Sequence, residues 1–174
     1  MKNFCLIFLL FISWSLISQD LEKYKKQYPN DDIVRLQQET IINIKLNNGE
    51  FTIHKEVFEE DLYLNNSANY NSKRSISYST FFNLDKIEAS SFSKQDGKYV
   101  ENKVVDFNEK NNLNDSFYDD SKEVGFIYPK LAKGSKTNIK LTYNIKNPRF
   151  LSAFYFGDFY PIINNKVTII ADKN

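Results

Sequence analysis

Thr137-Asn138-Ile139-Lys140-Leu141-Thr142-Tyr143-Asn144-Ile145 is the stretch that decides the fold class. Thr137, Ile139, Leu141, Tyr143 and Ile145 alternate with Asn138, Lys140, Thr142 and Asn144, and polar Lys146 follows. Successive side chains leave an extended backbone on opposite sides, so this period of two predicts a strand with one buried and one wet face. Asn147-Pro148 closes it, because proline has no N–H to give to a ladder.

The same period recurs upstream. Thr40, Ile42, Ile44 and Leu46 alternate with Asn43, Lys45 and Asn47, and Asn48-Gly49 supplies the two residues that tolerate positive φ in a tight hairpin turn. Pairing about that turn sets Leu46 opposite Phe51 and Ile44 opposite Ile53, with His54 roughly opposite Asn43. A strand from Ile87 to Ser93 and a partner from Tyr99 flank Asp96-Gly97, a second hairpin signal. Ile76, Tyr78 and Thr80, then Val124, Phe126 and Tyr128 before Pro129, read as further strands, and Val167 to Ala171 is a last apolar run. Asn65 to Ser75 and Asn108 to Asp115 are polar and read as surface loops. Leu21, Tyr24 and Tyr28 share one face of a short helix that Pro29 ends. Many short strands between turn signals, with no linker and no repeat, indicate a mostly β fold: one antiparallel β-sandwich or strongly bent sheet behind a short N-terminal helix.

The start of the chain has a different character. Lys2 precedes the apolar run Phe4 to Ile12, small residues follow to Ser18, and Gln19-Asp20 begins polar sequence. That order is expected of a cleavable export signal over residues 1–18, too short to cross a bilayer as a permanent helix. The expected mature domain, residues 19–174, would be periplasmic or secreted and not embedded in a membrane. It would also lack cysteine, since Cys5 lies inside the signal. It would carry 22 basic and 22 acidic residues, a balance that gives no indication of a nucleic-acid partner.

Catalytic chemistry finds little to work with. Without cysteine there is no thiol nucleophile, and a serine nucleophile would need the one histidine, His54, which the hairpin places on the solvent face with Thr52 and Glu56. The acidic clusters Asp31-Asp32, Glu59-Glu60-Asp61 and Asp119-Asp120 lack the spacing and glycine of a calcium loop. Asp119 and Asp120 are adjacent, so on a strand they would point to opposite faces, which disfavours a paired-carboxylate hydrolase and suits a turn or cap. No catalytic, metal or cofactor site is expected. Phe150, Phe154, Tyr155, Phe156, Phe159 and Tyr160 put six rings into eleven positions. They suit a core, an interface with another domain, or a stacking platform for glycan or peptide.

A family resemblance rests on Tyr28-Pro29-Asn30-Asp31-Asp32, on Phe117-Tyr118-Asp119-Asp120, and on Phe126-Ile127-Tyr128-Pro129-Lys130-Leu131 with Lys133-Gly134-Ser135. Above all it rests on Asn147-Pro148-Arg149-Phe150 through Phe156-Gly157-Asp158-Phe159-Tyr160-Pro161. In their order and spacing these stretches resemble the uncharacterised domain that precedes the transglutaminase-like core in large exported bacterial proteins. The resemblance implies a β-rich front module with no established activity, followed in relatives by a core with a Cys, His and Asp triad. No residue here matches that triad, and the sequence ends within or near the end of the front module, as a truncated frame or fragment would.

Two expectations of function follow. One is a non-catalytic exported domain, accessory to a transglutaminase-like domain or protein. The other is a free-standing secreted module that binds glycan or peptide through its rings.

Overall fold

The computed structural model describes residues 20–47, 49–111 and 120–172. The expected export signal and Asp119 lie outside them, as does Asn48 of the first turn.

A helix, α1, spans residues 20–27. Nine strands follow among the described residues: β1 (Ile33–Asn47), β2 (Glu50–Tyr63), β3 (Lys73–Tyr78), β4 (Phe82–Gln95), β5 (Lys98–Lys103), β6 (Asn108–Asn111), β7 (Lys122–Ile127), β8 (Lys136–Ile145) and β9 (Asn165–Ala171). They form a six-stranded sheet in the order β5-β4-β8-β2-β1-β9 and a three-stranded sheet in the order β3-β7-β6. The fold is the expected mostly β, two-sheet arrangement. One pairing departs from the antiparallel expectation: β9 runs parallel to β1, with Thr40 beside Val167 and Ile42 beside Ile169. A parallel partner needs a long return connection, and residues 146–164 provide it.

The hairpin register is the one the alternation predicts, with Leu46 opposite Phe51, Ile44 opposite Ile53 and Asn43 opposite His54. Asp96 and Gly97, both at positive φ, turn β4 into β5. Two segments read as loops are partly strand. β3 begins at Lys73, because Lys73 and Arg74 pair with Ile127 and Phe126, and Asn108–Asn111 pairs with β7 as β6. Both are short and polar, so their ladders rest on main-chain pairing rather than on a side-chain pattern.

The alternating face of β8 lies at the centre of the core. Ile139 and Leu141 are buried with Ala89 of β4, Tyr63 of β2 and Phe126 and Tyr128 from the second sheet. Each such side chain contributes roughly 1.5–3 kcal/mol by leaving water. Phe126 and Tyr128 meet edge to face at 5.1 Å. On the opposite face of the large sheet, α1 sets Leu21, Tyr24 and Tyr28 against Val34, Leu62 and Leu64. The helix is thus held by its apolar stripe, which an isolated eight-residue helix would need in order to persist.

Two β-bulges change which residues face inward. In β1, Arg35 pairs with Asp61 and Gln37 with Glu60, so Leu36 is an extra residue. In β4, Leu84 pairs with Tyr143 and Lys86 with Thr142, leaving Asp85 extra. Each insertion reverses the parity of the strand beyond it. Arg35 therefore joins Gln38, Thr40 and Ile42 on the inner face, while Leu36 turns outward to pack beside Val34 and Leu62.

Candidate functional site

The inner face of β2 runs Ile53, Lys55, Val57, Glu59, Asp61, and three of those five residues are charged. Glu59 and Asp61 are neutralised by the two arginines that face them. Arg35 Nε donates to Asp61 Oδ1 at 2.8 Å and Nη2 donates to Oδ2 at 3.3 Å, a two-pronged pair. Arg35 Nη2 also lies 2.8 Å from Glu59 Oε2, and Arg74 Nη2 donates to the same oxygen at 2.9 Å. Gln38 Oε1 accepts from Arg35 Nη1 at 3.0 Å, and the Tyr160 hydroxyl accepts from Nη2. Burial works to strip the proton from Arg35, but the hydrogen bond and charge of Asp61, with Glu59, outweigh it and hold the guanidinium above its ordinary range. Burial pushes the Asp61 carboxyl up, and Arg35 pulls against that push.

Glu60, between these two acids, points to the other face and pairs with Lys136 at 3.0 Å. The run Glu59-Glu60-Asp61 is therefore divided between two ion-pair systems. Among the described residues, no group of three or more acidic, histidine or cysteine side chains is placed to hold a metal ion. His54 is on the outer face, with Nδ1 3.2 Å from Asn144 Oδ1 and Nε2 3.5 Å from Glu56. Asp120 Oδ2 accepts the Thr80 backbone N–H at 2.9 Å, and Thr80 lowers its pKa, a capping arrangement.

The ring-rich segment arches over this face. Asn147 caps a 3-10 turn at Pro148–Phe150, accepting the Arg149 N–H at 3.0 Å. Phe150 stacks on Phe81 with centroids 4.5 Å apart. Leu151 and Phe154 pack against Ile42, Ile53 and Ile145. At the far end, Tyr160 packs on the main core, the Pro161 carbonyl accepts the Arg35 N–H at 2.8 Å, and the Ile163 N–H donates to the Arg35 carbonyl at 2.8 Å. Between these anchors the chain bows outward. Tyr155 is 75% exposed, Phe156 68%, and Phe159 wholly so.

Of the six rings singled out in the sequence, Phe154 and Tyr160 are half-buried anchors and Phe150 is partly exposed. Tyr155, Phe156 and Phe159 do not fill the core. Without strand geometry the arch has no alternating inner face on which to bury them.

Beneath the arch is an open cavity of about 760 Å3. Thr40, Val57, Leu141 and Val167 line it from the sheet, Phe154, Tyr155 and Phe159 from the arch, with Arg35, Glu59 and Asp158 also on its wall. Lys55 lies on the same wall, with Nζ 5.8 Å from the centre of the Tyr143 ring and 5.7 Å from that of Phe154. Burial alone lowers its pKa. Neither Lys55 nor Arg35 stands out in the sequence by motif. A signal was present for Lys55, since a charge interrupts the apolar alternation of Phe51, Ile53 and Val57.

The fold and site define a class: a two-sheet β-sandwich whose larger sheet carries a ring-arched, charge-bearing cavity. The chain belongs to the family described as a Domain of Unknown Function with solved structure, DUF3857, whose model matches residues 48–174. No curated protein matches. Among solved structures, the chain is similar to a protein from Parabacteroides distasonis described as a candidate protease, at TM-score 0.60 and 15% identity over 79% of this chain and 28% of that one. The chain thus spans little more than a quarter of that protein, and the similarity is one of fold. A second structure, yeast LTA4 hydrolase in complex with bestatin, aligns at TM-score 0.32 and 16% identity over 64% of this chain and 14% of that one. It carries no argument.

Proposed function

We propose that this protein is an exported, non-catalytic β domain that docks on a transglutaminase-like domain, with the arch of residues 151–160 as the contact. The single observation that carries the reading is the exposure of Tyr155, Phe156 and Phe159 on one bowed segment anchored at both ends. Three large rings in water forgo several kcal/mol of burial free energy, and exposed rings gathered on one short segment suit an interaction site. The sequence resemblance to the domain that precedes a transglutaminase-like core supports the choice of partner. The chain's similarity to a fraction of a longer protein is consistent with a module that works beside others. Among the described residues, no helix is long and apolar enough to cross a membrane.

The test is to mix the purified protein with the transglutaminase-like domain encoded in the same or the adjacent reading frame and measure complex formation by analytical ultracentrifugation. A one-to-one complex that Phe156→Ser and Phe159→Ser weaken supports the reading. Two separate species overturn it.

A second reading is favoured by the cavity: a secreted module that holds glycan or peptide under the arch. Its volume falls within the range of small-ligand sites, and rings on one side with polar groups on the other suit recognition. Binding to polysaccharide or peptide arrays tests it.

A further inference from the structure

We propose that the cavity under the arch is a binding site for an acidic peptide, with a carboxylate seated on Lys55 and an apolar or aromatic neighbour against Phe154, Tyr155 and Phe159. This inference rests on the second reading above and names the ligand class.

Charges gather here in pairs, with one exception. Arg35 and Arg74 share Glu59 and Asp61, and Asp158 on the arch lies 3.7 Å from Arg35 Nη1, so all three acids are engaged by the arginines. Lys55 has no ion-pair partner among the described residues. Its ammonium is half-buried against the Tyr143 and Phe154 rings, and ring faces offset only part of the lost hydration. The absence of a carboxylate is also consistent with burial being the sole cause that depresses its proton affinity. A buried cation without a counter-charge is costly, and it is commonly retained where a ligand completes the pair.

Geometry places that cation well for a ligand. Lys55 lines the main cavity and also a smaller one of about 200 Å3 beside Phe82, Phe150 and Ser152, so it stands where the two meet. Along β2, the four residues from Lys55 to Glu59 span roughly 13 Å at the rise of an extended strand. That length accommodates three to four residues of extended peptide. At the far end, Gln38, Asn165 and Asp158 offer polar groups suited to peptide amides. A neutral glycan would use the rings and the amides but would leave Lys55 unpaired.

The test is calorimetric titration of the purified protein with acetyl-Ala-Phe-Glu-Ala-amide and with the same peptide carrying Gln for Glu. Trigalacturonate and a neutral trisaccharide serve as the glycan arms. The Glu peptide is expected to bind about tenfold more tightly than the Gln peptide, the scale of one charge-assisted hydrogen bond. Lys55→Met should erase that preference, Lys55→Arg should keep it, and Lys98→Met, on a distant edge strand, should leave it unchanged.

Equal binding of the Glu and Gln peptides overturns the role of Lys55 while leaving ring-mediated binding in place. A preference that survives in Lys55→Met does the same. Binding of trigalacturonate without either peptide overturns the peptide class in favour of an acidic glycan. Binding of no probe overturns both the inference and the reading beneath it. Because the Glu and Gln peptides are compared on the unaltered protein, the outcome does not depend on any variant folding.

Discussion

Arg35 Nε donates to Asp61 Oδ1 over 2.8 Å, although unbroken alternation along β1 would turn Arg35 outward and place Leu36 opposite Asp61. The bulge at Leu36 makes the pair possible, and the pair in turn holds the bulge. Breaking it should be severe, because one buried charge is left without its partner. Arg35→Met is expected to cost about 3–5 kcal/mol in urea unfolding. Arg35→Met with Asp61→Leu should cost less than the sum of the two single changes, since removing both charges leaves no orphan.

Lys55 is expected to oppose folding at neutral pH. Burial lowers its folded-state pKa, so around that pKa the unfolded chain binds more protons and stability rises with pH. The cost is full below the folded value and is lifted as pH climbs toward the ordinary lysine range. Of the other titratable groups on the cavity wall, Arg35 stays charged throughout, and burial pushes the Tyr143 hydroxyl up to about 12. Glu59, Asp158 and Tyr155 complete the set. Lys55→Met should therefore stabilise the protein by about 0.5–2 kcal/mol at pH 7, with the gain shrinking as pH rises. Melting curves of both proteins across that range check the sign.

Phe156→Ser and Phe159→Ser should leave the unfolding free energy within about 0.5 kcal/mol of the parent, because neither ring is buried. Phe154→Ala should cost about 2–3 kcal/mol, since Phe154 packs against the Ile42, Ile53 and Ile145 cluster. Chemical denaturation of the three variants separates the anchors of the arch from its exposed crest.

Gly134 sits at φ +79°, its N–H donates to the Tyr63 carbonyl at 2.8 Å, and a Cβ there would lie 3.1 Å from Leu21 Cδ2. Gly97 has the same sign of φ but open space around it. Gly134→Ala and Gly97→Ala should each lose about 1–2 kcal/mol to backbone strain. Gly134→Ala should lose more and should loosen α1, with faster amide exchange across residues 21–28.

Much of this architecture is legible in the sequence because burial writes a period of two into each long strand. Thr137, Ile139, Leu141 and Ile145 are all buried as their alternation predicts, and Asn48-Gly49 and Asp96-Gly97 mark the hairpins. The bulges at Leu36 and Asp85 escape such a reading, since one extra residue silently exchanges the two faces. β6 escapes it because Asn108–Asn111 has no apolar face at all. The parallel pairing of β9 escapes it because alternation fixes a face and not a direction. For the site, the six rings were visible and the cavity beneath them was not. Its charged residues come from β1, β2 and the arch, which sequence distance keeps apart.

Amide exchange of residues 151–163, measured with and without the transglutaminase-like domain from the same or the adjacent reading frame, tests the docking account most directly. Protection confined to the arch, lost in a Phe156→Ser, Phe159→Ser double variant that still folds, is the predicted result. Unchanged exchange at saturating partner, or frames that encode no such domain, would contradict it.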